Sequence, residues 1–142
     1  MAIFRPEDEE RIRERFAALD RPVELVVALG PEETPLPGHA DVDFGAETVR
    51  IVEELCTLSD RVTWRIEREP PGLERFPAVL ICPEGKDAGL RYDGLPWGHE
   101  LGSLVGAVLE AGRAASSLRP ESLEALAGLD RDLAIDVFVT PT

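Results

Sequence analysis

Arg75-Phe-Pro-Ala-Val-Leu-Ile-Cys82, running on through Gly89-Leu-Arg-Tyr92 to Gly94-Leu-Pro-Trp-Gly-His-Glu100, decides how the rest of the chain is read. Pro77 has no N–H, so it fits the very start of an apolar strand, where it breaks no ladder bond and where a cis peptide after Phe76 would be a built-in feature. Residues 83–88 form a polar turn with Gly85 available for a positive φ, so 78–82 and 89–92 are expected as two antiparallel strands. Gly94, Pro96 and Gly98 then punctuate a loop that delivers the chain into an apolar helix over 101–115. That helix is expected to bury Leu101, Leu104, Val105, Val108 and Leu109, with Gly102 and Gly106 allowing close approach to the sheet.

Upstream, residues 5–19 place Ile12, Phe16 and Leu19 on one helical face, and Glu7, Asp8 and Glu9 crowd the first turn, where the helix dipole favours negative charge. Val23-Glu-Leu-Val-Val-Ala-Leu29 is too apolar for a half-exposed strand and reads as one buried on both faces. Residues 30–45 make a long loop rich in Pro, Gly and acids. A second helix over 46–58 turns Val49, Ile51 or Val52, Leu55, Cys56 and Leu58 inward. In 62–67, Val62, Trp64 and Ile66 alternate with polar residues, the pattern of a strand with one packed face.

The order X-Pro, strand, turn, strand, glycine loop, helix is that of the second half of a thioredoxin fold. Phe-Pro-Ala at 76–78, Gly-Lys-Asp at 85–87, Gly-Leu-Arg-Tyr at 89–92, Gly-Leu-Pro-x-Gly-His-Glu at 94–100 and Glu54-Leu-Cys-Thr-Leu-Ser-Asp60 resemble the glutaredoxin-like protein disulfide oxidoreductases of thermophiles, in particular their N-terminal thioredoxin unit. The resemblance covers most of the chain. It implies an α/β, thioredoxin-like fold with a central mixed sheet flanked by helices, and a thiol-disulfide redox context.

In that family the junction between the first strand and its helix carries Cys-x-x-Cys at a helix N-terminus, where the dipole and free N–H groups lower the thiol pKa. The corresponding positions are Val42, Asp43, Phe44 and Gly45, and none is cysteine. Disulfide exchange needs one thiolate to attack and a second thiol to resolve, so no catalytic residue is assigned and the chain itself is expected to be redox-inactive. Asp41 and Asp43 fit N-terminal capping better than acid–base chemistry. By resemblance, Phe76 before the proline, Pro77 and Gly94 flank a groove for an extended substrate segment. Strand addition through main-chain hydrogen bonds could outlast the loss of the cysteines.

Cys56 and Cys82 are not at metal or redox spacing; they read as buried small hydrophobes, with a structural disulfide or an unusual redox pair as alternatives. His39 and His99 belong to no zinc-like cluster, so no metal and no cofactor is expected.

With 142 residues, 44% of them apolar, the chain can bury about two-thirds of its unfolded surface as one domain. A net charge of −13 repels phosphate backbones and anionic lipid, which argues against nucleic-acid and membrane partners. There is no long apolar run and no signal-peptide pattern, so a cytoplasmic protein is expected. Lys86 is the single lysine beside fourteen arginines, and Asn and Gln are absent. That bias fits a thermophile and equally a GC-rich genome.

The C-terminal part reads as a short helix from Pro120 with Leu123, Leu126 and Leu129 on one side, then a strand over 133–139. In the resembling family a strand ending Val-Phe-Val-Thr-Pro-Thr leads directly into the Cys-x-x-Cys of a second unit. Residues 1–116 are thus expected as one thioredoxin-like unit, and 117–142 as the opening of a second, in a natural truncation or a piece of a longer protein. An uncovered apolar strand is a pairing hazard. Residues 133–139 are expected to pair with a second copy or to dock on the first sheet, the homodimer being favoured because a two-fold pair buries both edges at once; a protein or peptide partner is expected at the groove by Phe76 and Pro77.

Overall fold

The computed structural model describes residues 2–31 and 41–139. Helix α1 spans Pro6–Ala17, β1 Val23–Leu29, α2 Phe44–Cys56, β2 Val62–Arg68, β3 Ala78–Pro83, β4 Arg91–Asp93, α3 His99–Ala111 and α4 Pro120–Ala127. The four strands form one mixed sheet in the order β2-β1-β3-β4. β1 runs parallel to β2, with Val23 beside Val62, and antiparallel to β3, with Ala28 beside Ala78. β4 closes the other edge antiparallel to β3.

β1 is covered on both faces, as its unbroken apolar run requires. Val23, Leu25, Val27 and Leu29 join Phe16 of α1, Val52 and Leu55 of α2, and Leu104, Val105 and Val108 of α3 in the main core. Val26 and Ala28 point the other way, into a smaller cluster with Ala78, Leu80 and Cys82, edged by Leu73 and Phe76. Each large side chain fully buried here stabilises the fold by about 1.5–3 kcal/mol.

Several expectations are corrected. α2 begins two residues earlier than 46, because Asp43 caps it: the Asp43 Oδ1 accepts from the Ala46 N–H at 2.9 Å. β4 is shorter than 89–92 because Asp87 accepts from the Gly89 N–H at 2.8 Å, which holds that part in a turn. Ile66 is exposed, since β2 is the sheet edge and its packing fades beyond Val62. Gly102 and Gly106 face open space rather than the sheet. Gly85 does take a positive φ of 74°.

The C-terminal segment departs most. Helix α4 forms, but nothing in it is buried, and residues 133–139 carry no ladder and do not dock on the first sheet. Ile135 is 83% and Phe138 84% exposed. A strand needs a partner strand, and within this chain the segment has none among the described residues.

Candidate functional site

A helix connecting two parallel strands starts at the carboxyl end of the first and finishes at the amino end of the second. α2 lies between β1 and β2, so Val42–Gly45 sit at the carboxyl edge of the sheet. β3 is antiparallel to β1 and begins there too, bringing Phe76 and Pro77 to the same edge. β4 ends there and α3 begins there.

At this edge the Phe76-Pro77 peptide is cis. Pro77 is buried, and its carbonyl accepts from the Gly94 N–H at 2.8 Å, continuing the β3–β4 ladder one step past the strands. Gly94 holds φ at 103°, a region open to glycine and strained for other residues. The Phe76 ring lies against Gly30 at the end of β1, within 3.2–3.3 Å of where a Cβ on Gly30 would stand. Among the described residues, neither the N–H nor the C=O of Phe76 has a hydrogen-bond partner.

Of the residues singled out in the sequence, Pro77 and Gly94 are joined directly. Asp43 acts as the N-cap of α2, and Thr48 donates its hydroxyl to the Phe44 carbonyl at 2.7 Å, closing the first turn. Asp41 is exposed beside it. The cap places Asp43, one residue later than Val42, over the free N–H groups of the helix. His39 lies outside the described residues, and His99 is an exposed first residue of α3. Among the described residues no three or more His, Cys, Asp or Glu side chains come together as a metal site would need.

One residue at this edge escapes a reading of the sequence. Glu100, in the first turn of α3, is only 8% exposed. No hydrogen bond or ion pair to its carboxylate occurs among the described residues, and together with burial its charge pushes the Tyr92 hydroxyl pKa up. Acidic residues in first turns are ordinarily surface residues, so no sequence signal marks this one as buried.

Cys56 and Cys82 are free thiols on opposite sides of the sheet, Cys56 against the main core and Cys82 within the smaller cluster. Neither a disulfide nor a redox pair between them fits this placement. Burial pushes the Cys56 thiol up to about 12. Cys82 is raised as well, by burial first and then by Asp87 and Glu24. Both are the reverse of an activated nucleophile.

The chain is similar to the alkyl hydroperoxide reductase AhpF of Xanthomonas campestris pv. phaseoli, 34% identical over 107 residues that make 73% of this chain and 20% of that protein. The AhpF of Escherichia coli is 32% identical over 120 residues, 84% of this chain and 21% of that protein. This chain therefore spans about a fifth of the length of the curated relatives it matches. Among solved structures it is similar to the AhpF of Enterococcus faecalis, with a TM-score of 0.74, 23% identity, and coverage of 90% of this chain and 62% of that one. It is also similar to a protein disulfide oxidoreductase from Aeropyrum pernix, with a TM-score of 0.70, 20% identity, and coverage of 91% and 56%. No family model matches the sequence. The fold is thioredoxin-like, as in these neighbours.

Proposed function

We propose that this chain is a thioredoxin-fold unit of a thiol-disulfide system that has no exchange chemistry of its own and serves as the scaffold and partner of a dithiol-bearing unit. The observation that carries this reading is the composition of the sheet's carboxyl edge. The Phe76-Pro77 peptide and Gly94 keep the backbone arrangement of a substrate-facing edge, while the helix start opposite them presents Asp43, Phe44 and Gly45. Residues 117–139 would then be the opening helix and strand of a further unit, and 133–139 would pair with the matching strand of a second copy when no such unit follows.

A second reading is supported by Phe76. Its main-chain N–H and C=O are both without partners among the described residues, and an extended peptide could add to them as a strand does to a sheet edge. The edge would then be a redox-silent peptide groove.

Among the described residues no helix is long and apolar enough to cross a membrane. A protein or peptide partner fits the net charge of −13 better than an anionic one. Insulin-disulfide reduction by the purified chain, with dithiothreitol or with a reductase as electron donor, tests the leading reading. It predicts no turnover above background and no change in Cys56→Ser. Turnover abolished by Cys56→Ser or Cys82→Ser would contradict it.

A further inference from the structure

Between α1 and the start of α3, beside the loop that leaves the sheet edge described above, lies an open groove of about 570 Å³. Its floor is apolar, made by Phe4, Ile12, Leu101 and Val105, and Trp97 stands 51% exposed at its mouth. Its rim carries Arg11 and Arg15, one helical turn apart on α1. Neither has a carboxylate partner among the described residues, whereas Arg5, also on the rim, is tied to Glu7 and Asp8. Arg11 and Arg15, without a carboxylate partner among the described residues, and Arg5 outnumber Asp8, the acidic residue of the groove lining, so the groove is locally positive on a chain of net charge −13.

The same chain carries an element of matching character. The arm that leaves α3 is fixed at its root, where Ser117 donates to Glu110 through its N–H at 3.1 Å and its hydroxyl at 2.8 Å. Beyond that point α4 displays Leu123 and Leu126 one turn apart, with Leu118 before and Leu129 after, all exposed. Glu121, Glu124, Asp130 and Asp132 surround them. An apolar stripe of this extent marks an interaction surface. The root lies at the carboxyl end of α3, the groove at its amino end.

We infer that α4 of a second copy docks in this groove. Leu123 and Leu126 lie on the apolar floor beside Trp97, and the flanking carboxylates face Arg11 and Arg15, in the manner of an amphipathic helix in a groove. A two-fold pair makes the contact twice, each protomer giving an arm and receiving one. This rests on the case of the proposed function in which no further unit covers residues 117–139, and adds the surface that receives α4.

Sedimentation velocity on the 142-residue chain over a concentration series tests the inference. The unmodified chain should dimerise, and the dissociation constant should rise at least about tenfold both in Leu123→Ser/Leu126→Ser and in Arg11→Glu/Arg15→Glu. All four positions are solvent-facing, so domain folding should persist, as circular dichroism would verify. Mixing the two variants should restore a weaker heterodimer, because one intact arm and one intact groove then meet. An unmodified chain that stays monomeric to about 1 mM would overturn the inference. So would a dimer that survives both double substitutions. If such a dimer is instead abolished by Val137→Pro, strand pairing through 133–139 stands while the groove contact is refuted.

Discussion

The Gly94 N–H donates to the Pro77 carbonyl at 2.8 Å, and this one bond ties the start of β3 to the loop that leads into α3. It fixes the two backbones that form the carboxyl edge of the sheet, and just after it the chain turns with Gly94 φ at 103°. There is open space where a Cβ would stand, so crowding is not what demands glycine here.

Gly94→Ala should therefore act through the backbone alone and destabilise the chain by about 1–3 kcal/mol. Urea unfolding followed by circular dichroism measures this. An unchanged midpoint would mean the strained conformation is not held in solution.

The start of α2 should still favour a negative charge at residue 43, because the Asp43 carboxylate accepts from the Ala46 N–H in the first turn. Asp43→Ala should cost about 1 kcal/mol in the same unfolding experiment. In Asp43→Cys the new thiol should have a pKa below the free value of about 8.5, since the helix N-terminus stabilises the thiolate. The pH profile of iodoacetamide alkylation reads it. A value at or above that of a free thiol would show that the helix start is not electrostatically suited to cysteine.

Cys56, pushed up to about 12 by burial, and Cys82, raised chiefly by the same cause, should both resist alkylation at neutral pH in the folded chain and react readily in denaturant. The linkage has a definite sign. Above about pH 8.5 the unfolded thiols lose protons that the folded thiols keep, so stability should be flat below that pH and fall as pH rises toward 12. Stability that rises across this range would contradict the burial.

Strands whose ends are set by backbone chemistry are legible from residues alone. β1 lies between Pro22 and Gly30 and β3 starts just after Pro77, and the sequence places the first residue of each correctly. Sequence and structure part where tertiary partners decide. Ile66 alternates as a packed residue should, but an edge strand leaves it uncovered. Leu133-Ala-Ile-Asp-Val-Phe-Val139 has every local mark of a strand, yet a ladder needs a second strand that the described residues do not supply. At the candidate site, proline and glycine positions are visible because they constrain the backbone. Glu100 is not, because burial of a first-turn carboxylate is a property of the packed fold.

The proposed function makes the sheet's carboxyl edge a peptide-facing surface that needs no cysteine. The most direct test is a ¹H–¹⁵N NMR titration of the full chain with reduced, carboxymethylated insulin B chain, an unfolded peptide unable to exchange disulfides. Shift changes concentrated at Phe76, Ala78 and Gly94 and at the first turn of α2 are predicted. Changes confined to other surfaces, or none with about 1 mM peptide, would contradict the account.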